Sequence, residues 1–498
     1  MTWLAQPPTV PGMTTIAIIG SGFSGIGAAA RLLQDGVRDL VVFERGDDVG
    51  GVWRDNTYPG AACDVPSHLY SFSWAPSGDW SRRFAPQAEI YEYLRRTARD
   101  SGVLPHVRFR TEVLSSTWDG SAWQLELSDG TTHRAEVLIA ACGQLSRPSR
   151  PDIAGLDSFA GTMFHSAEWD HEHDLTGERV AVLGTGASAI QFVPEITPKV
   201  GHLSVFQRSA PYVIAKPDRT YGPTARAMLE RAPGLLALDR LRTYAWTEAR
   251  SIGFNTDPRL MKSFELVFRR HLRREVADPV LRATLTPVDP IGCKRILQSN
   301  TWYPAIVQPH VEVVTDKVVE VVANGVVTAD GRLHEVDTII LGTGFTATEL
   351  LAPMHVTGRD GHSLTEVWSN GAQAYLGTVV AGFPNLFLMY GPNTNLGHSS
   401  IILMLESQIA YVADAVRHLR RGTATLEVRA QVQRSFNSWL QGRLSGTVFA
   451  SGCTSWYLTR DGLNTQNWPG TTLDFRRRTR KVRLADFETT PAREPARV

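Results

Sequence analysis

The stretch Ile16-Ala17-Ile18-Ile19-Gly20-Ser21-Gly22-Phe23-Ser24-Gly25 decides the fold. Its four apolar residues read as a buried strand, the glycines as a tight turn, and the Ala-rich segment from Ile26 to Leu33 as a helix. A second apolar run, Leu40-Val41-Val42-Phe43, ends at Glu44. Glycines at this junction suit a dinucleotide, because a Cβ would hold the pyrophosphate away from the backbone. The helix behind them offers its unpaired N–H groups and the positive end of its dipole.

The unit occurs twice. Val180-Ala181-Val182-Leu183 leads into Gly184-Thr185-Gly186-Ala187-Ser188-Ala189, then helical Ile190 to Ile196, then Leu203-Ser204-Val205-Phe206, closing at Gln207-Arg208. Each copy continues through two hairpin signals to a closing strand. Asp119-Gly120 and Asp129-Gly130 precede the run Val137 to Gly143, and Asn324-Gly325 and Asp330-Gly331 precede Thr338 to Gly344. Asp129 to Cys142 and Asp330 to Thr343 are both 13 positions apart. The predicted fold class is α/β, with two Rossmann-like dinucleotide-binding domains and a helical insertion. The first domain is expected over 1–147 and 342–498, the second over 148–220 and 289–341, and the insertion over 221–288. Within the insertion Asp257-Pro258 reads as a cap and first-turn proline. Leu260, Phe264, Val267, Phe268 and Leu272 follow at helical spacing. That helix is either a lid over a substrate cavity or a packed helix serving only the core.

Composition narrows the class of partner. With 498 residues, 43% hydrophobic and 20% charged, the chain reads as globular and of several domains, which excludes a disordered scaffold. A net charge of +1 provides no broad field for nucleic acid or anionic membrane. The four cysteines, Cys63, Cys142, Cys293 and Cys453, show neither metal-ligand spacing nor a disulfide framework, so no metal and a reducing, cytoplasmic setting are expected. Met1 to Thr14 reads as a lead-in rather than a secretory signal, and no stretch is apolar enough to span a membrane. The cluster Arg476, Arg477, Arg478, Arg480, Lys481 and Arg483 reads as a solvated C-terminal tail.

The residue closing the second strand of each unit discriminates between nucleotides. Glu44 bonds ribose hydroxyls and repels a 2′-phosphate, so the first site suits FAD or NAD. Gln207-Arg208 removes that charge and supplies a guanidinium, so the second site suits NADP. Two such sites in one chain point to a flavoprotein that passes electrons between cofactors.

Two further stretches carry a family resemblance. Phe159, Gly161, His165, Trp169 and Asp170 stand in the pattern F-x-G-x-x-x-H-x-x-x-W-D, and Gly51-Val52-Trp53 is followed by Tyr58-Pro59-Gly60 and Asp64. From about Thr15 to Pro469 the chain resembles the type I Baeyer-Villiger monooxygenases. The resemblance implies FAD, NADPH, O2 and a ketone, converted to an ester or lactone through a flavin C4a-peroxide. The alternative is an N- or S-oxygenating flavin monooxygenase. It implies that Gly20, Gly22, Phe23, Ser24, Gly25, Glu44, Gly51, Trp53 and Asp64 meet FAD, with Gly391 and Asn393 at the flavin ring. It also implies that Gly184, Gly186, Ala187, Ser188, Arg208, Ser209, Lys294 and Trp456 meet NADP. Arg295 resembles the family's catalytic arginine, with Asp64 beside it, and His165 is given a positioning role in the linker. The ketone's identity and the oligomeric state are outside what these residues specify.

Overall fold

Two five-stranded parallel sheets organise the chain, in a computed structural model that describes residues 14–491 apart from 454 and 460. The first sheet is ordered Val107–Arg108, Leu40–Phe43, Ile16–Ile19, Val137–Ala140, Leu386–Leu388. The second is ordered Val311–Val314, His202–Phe206, Arg179–Leu183, Thr338–Leu341, Thr162–His165. Their central strands are almost wholly apolar and buried, as sheets covered on both faces require. Both sheets run through the same four-strand plan and differ in the outermost strand. In the first it comes from far downstream, and in the second from Thr162–His165, ahead of the glycine turn. That edge strand is the middle of the linker fingerprint, in register from Thr338↔Thr162 to Leu341↔His165.

The hairpin signals close small antiparallel sheets. Val113–Trp118, Trp123–Leu127 and Thr132–Ala135 pair in succession, as do Val318–Val322, Gly325–Thr328 and Leu333–Glu335. Helix Phe23–Gln34 lies against helix Ile401–Leu419, and Gly27 leaves room for the Ile409 side chain, which an added Cβ would meet at 2.6 Å.

Between Val213–Ile214 and Leu297–Gln298, which pair in parallel, the chain makes the helices Pro223–Arg231, Pro233–Ala249, Ser251–Asn255, Met261–Glu275 and Pro279–Thr284. Three of them start on proline, which forgoes an N–H that a first turn leaves unpaired anyway. The parallel pair returns the chain to its point of departure, so Lys294 and Arg295 emerge beside residues 208–212; Leu297 N donates to the Tyr212 carbonyl at 2.8 Å.

Three expectations need correction. The face read from Leu260 to Leu272 is only partly used: Phe268 and Leu272 are buried, but Leu260 and Val267 are half exposed, because the helix proper begins at Met261 and turns its seam toward Tyr212 and Tyr303. The basic C-terminal cluster is not a loose tail. Thr471 caps helix Thr472–Arg478, Phe475 is buried against Trp468, and Phe487–Pro491 pairs with Thr423–Val428, although the basic side chains do face solvent. The cysteines are not all isolated either, since Cys293 and Cys453, 160 positions apart, are joined with their Cα atoms 6.3 Å apart. The expected lead-in falls, except for its last residue, outside the described residues. Among the described residues no helix is long and apolar enough to cross a membrane, and no cluster of His, Cys, Asp or Glu is arranged to hold a metal ion.

Candidate active site

Each glycine turn is shaped as a cradle. An added Cβ would lie 2.7 Å from the Ala141 carbonyl oxygen at Gly20 and 1.9 Å from the Gly20 oxygen at Gly25, but at Gly22 it would meet nothing closer than 3.7 Å. The second turn repeats the arrangement, with 2.5 Å at Gly184 and 4.0 Å at Gly186. The outer glycines are thus closed by the protein's own backbone, while the middle one is open, which fits a pyrophosphate at the helix start. Phe23 and Ser24 are buried at that helix start, Phe23 5.2 Å from the Tyr70 ring. Ala187 and Ser188 stand at the equivalent place, just before helix Ala189–Ile196.

Glu44 ends its strand buried. Its Oε2 accepts from Ser21 N at 3.0 Å and Ser21 Oγ at 2.6 Å, and its Oε1 accepts from Gly46 N at 2.8 Å and Arg54 Nη1 at 2.9 Å. Burial pushes its carboxyl up, but these donors outweigh burial and hold it below the usual range. A carboxylate has about four acceptor positions, so a ribose hydroxyl must displace one donor, and the Arg54 side chain is the movable one. Neither Ser21 nor Arg54 stood out in the sequence. At the other turn Arg208 is exposed, and Lys294 Nζ lies 3.2 Å from Ser209 Oγ and 2.6 Å from Asp289 Oδ2.

The loop after Gly51 crosses from the first unit to the second. Trp53 donates from Nε1 to Tyr70 Oη at 3.2 Å. Tyr58 donates to Gln191 Oε1 at 2.9 Å, and Gln191 Nε2 donates to the Ala62 carbonyl at 2.9 Å. Gln191, on helix Ala189–Ile196, therefore pins the loop that delivers Asp64. Removing it as Gln191→Ala leaves the Tyr58 hydroxyl and the Ala62 carbonyl without their partner at a half-buried junction. A stability loss of about 1–3 kcal/mol is expected, read as a lowered thermal midpoint.

Asp64 meets Arg295 across 231 positions. Arg295 Nε and Nη2 both donate to Asp64 Oδ2, at 2.9 and 2.6 Å, and Nη1 makes no hydrogen bond among the described residues. Protein surrounds the pair, yet 29% and 34% of the two side chains remain accessible, so they line an internal space rather than fill a core. The Asp64 carboxylate holds Arg295 above its ordinary value against the cost of burial. Burial pushes Asp64 up, and the Arg295 charge beside it overcomes that and holds its carboxyl below the ordinary range. Both are ionised at neutral pH. Tyr390 and Tyr457 lie near enough to feel the Arg295 charge.

Other sequence-derived positions sit around this centre with distinct parts. His165 is buried at the end of its edge strand; its Nδ1 accepts from Ala167 N at 3.0 Å, and burial pushes its pKa down, so the ring is neutral. Trp169 packs between Phe164 and Phe192, at 5.1 and 5.3 Å. Phe159 packs on the second sheet's core, Gly161 leaves no room for a side chain beside the Asp337 carbonyl, and Asp170 accepts from Glu172 N at 3.0 Å. Gly391 packs closely against the Gly377 carbonyl. Asn393 Nδ2 donates to the carbonyls of Asn464 and Asn467, at 2.7 and 3.2 Å. Trp456 is 38% exposed, while its neighbour Tyr457 is buried toward Arg295.

Two dinucleotide cradles with a carboxylate-held arginine between their domains define a two-nucleotide oxidoreductase. The family description "FMO-like: Flavin-binding monooxygenase-like" matches residues 13–249. A Baeyer-Villiger monooxygenase of Streptomyces coelicolor is 46% identical over 490 residues, spanning 97% of this chain and 94% of that protein. Among solved structures, oxidised steroid monooxygenase bound to NADP matches with a TM-score of 0.83 at 31% identity, covering 93% of this chain and 96% of that one. The closed form of cyclohexanone monooxygenase matches with a TM-score of 0.86 at 26% identity, covering 97% and 100%. The chain belongs to the Baeyer-Villiger monooxygenase family.

Proposed function

We propose that the protein uses FAD, NADPH and O2 to convert a ketone into an ester or lactone. The observation that carries this reading is the unpaired Nη1 of an arginine whose other donors are fixed by Asp64. Residues 1–147 and 342–498 form the FAD domain, 148–220 and 289–341 the NADP domain, and 221–288 the insertion between them. The first turn and Glu44 hold FAD; the second turn, Arg208, Ser209 and Lys294 hold NADPH. When bound, NADPH supplies the hydride and the reduced flavin supplies the activation of O2.

The chain's own residues then act on the carbonyl substrate. Arg295 stays protonated at any working pH and donates from Nη1 to the oxyanion that forms as the carbonyl carbon becomes tetrahedral. Asp64 orients the guanidinium and partly neutralises it, so the donor is in place before charge develops. Tyr390, Tyr457 and Tyr70, the last packed on Trp53, stand beside the Asp64–Arg295 pair and limit the water around it. The linker at His165 and Trp169 sets the angle between the two domains. We place the enzyme in the cytoplasm, where NADPH is regenerated, and its near-neutral charge fits a small-molecule partner rather than nucleic acid.

A panel of cyclic, linear and aryl ketones with NADPH tests the reading. Products one oxygen heavier than the ketone, formed in proportion to NADPH consumed, are expected; sulfides oxygenated while every ketone is refused would overturn it. Arg208→Ala is expected to raise the KM for NADPH by about 10- to 100-fold, the worth of a hydrogen-bonded charge contact, and to leave that for NADH unchanged. Equal effects on both would show that the second site does not read the 2′-phosphate.

A further inference from the structure

The helical insertion brings an unused cation to the site. Arg250 follows helix Pro233–Ala249 and is half-buried. Its guanidinium carbon lies 5.0 Å from the Trp246 ring centre and 5.3 Å from that of Phe264. Its Nε is buried without a partner, and among the described residues the side chain has neither a hydrogen bond nor an ion pair. The nearest acid on its own helix, Glu248, is taken by the Thr472 N–H at 2.6 Å and the Thr472 hydroxyl at 3.0 Å. A half-buried guanidinium with no carboxylate is costly, and two aromatic faces recover only part of that cost.

Its surroundings tie it to the reacting centre. Phe254, on the next helix, packs 6.1 Å from Phe449 and 6.3 Å from His398. The Met261 side chain fills the place, 2.9 Å away, where a Cβ on Gly292 would go, three residues before Arg295. Arg250 is close enough that Asp64 favours its charge and Arg295 opposes it. On the other side, Trp246 lines an open cleft of about 310 Å³ shared with Arg83, Arg219, Arg242, Thr243 and Asp239. Asp239 is the one acid in that lining, and it also holds His68 at 2.7 Å and Arg219 at 3.9 Å. Arg83 Nε, like that of Arg250, is buried without a partner. Three arginines line this cleft and a fourth stands over the Trp246 ring, an excess of positive charge that concentrates anions and speeds their arrival.

We propose that the substrate is a ketone carrying a carboxylate, received by Arg250 between Trp246 and Phe264. The carboxylate supplies the missing partner of the guanidinium, two-pronged if the oxo acid is long enough, and its apolar chain lies along the two rings. The carbonyl is then held toward Arg295 by a chain whose far end is anchored. This inference rests on the reading of the site as a ketone oxygenase and specifies the substrate class of that site.

The test uses the FAD-loaded enzyme with oxo acids of increasing chain length, each paired with its own methyl ester, and measures kcat/KM by oxygenated product. The best acid is expected to exceed its ester by about 30-fold, the worth of a hydrogen-bonded charge contact, and to lose that margin as ionic strength rises. Arg250→Gln should abolish the preference while leaving the ester's kcat/KM and the KM for NADPH unchanged, and Arg250→Lys should retain part of it. Equal kcat/KM for acid and ester in the native enzyme would overturn the proposal and leave the ketone reaction standing. So would an Arg250→Gln effect falling on NADPH, since the residue would then belong to the nucleotide site. Refusal of every acid and every ester would count against the ketone reading itself.

Discussion

Arg295→Ala is expected to lower ester formation by about 10³-fold or more, while NADPH oxidation stays measurable and its electrons leave as hydrogen peroxide. The size follows from the geometry. Nε and Nη2 are anchored on Asp64 Oδ2, so Nη1 is a fixed, charged donor that needs no reorganisation as the carbonyl oxygen gains charge. Alanine removes the donor and also leaves Asp64 as an uncompensated carboxylate in a recessed space, which repels the same oxyanion. Asp64→Ala separates the two effects. It keeps the guanidinium but frees its orientation, so a smaller loss in ester formation is expected, with coupling of NADPH to product declining rather than vanishing. Stopped-flow reduction of the flavin beside product analysis reads both steps, and full oxygenation by Arg295→Ala would refute the assignment.

The second large effect separates two glycines three positions apart. Gly25→Ala would place a methyl 1.9 Å from the Gly20 carbonyl oxygen and 2.9 Å from its carbon, both backbone atoms, so the turn itself must open. Such overpacking costs about 3 kcal/mol or more, and the variant is expected to lose thermal stability with or without flavin. Gly22→Ala meets protein no closer than 3.7 Å, so the apoprotein should melt as the native one does. Its methyl instead occupies the space a pyrophosphate needs, and flavin retention should fall by about 10- to 100-fold, the equivalent of one to two lost phosphate contacts. Absorbance of retained flavin and the melting midpoint of stripped protein distinguish the cases. Equal behaviour of the two variants would remove the basis for calling the turn a cradle.

The acid that closes the neighbouring strand, Leu40–Phe43, responds to pH instead. Glu44 is held ionised by Ser21, Gly46 and Arg54, so it remains an acceptor throughout the neutral range. Its folded pKa is lowered, so its contribution to stability is present above the ordinary carboxylate range and fades as pH falls through the folded value. Flavin release on acidification is therefore expected below that range, not near neutrality.

Much of this protein is written in consecutive residues. A strand, a glycine turn and a helix are local, since the apolar run, the missing Cβ and the propensity of the next residues act within a dozen positions, and so the two nucleotide units could be read directly. Hairpin turns are equally local. What only the tertiary structure decided involves groups with no local mark. Asp64 and Arg295 are 231 positions apart, and their approach depends on the parallel pair Val213–Ile214 with Leu297–Gln298 and on Gln191 pinning the loop after Tyr58. Cys293 and Cys453 carry no spacing signal because 160 positions separate them, and they meet where the later segment packs Val448 beside Gly292. Asn393 Nδ2 donates to carbonyls 71 and 74 positions on, and Arg250 carries nothing in its sequence neighbourhood that separates it from other arginines. A side chain's partner is set by which distant surfaces the core brings together, whereas backbone conformation is set largely by its neighbours, and this is why the cofactor turns were legible and the wall of the substrate space was not.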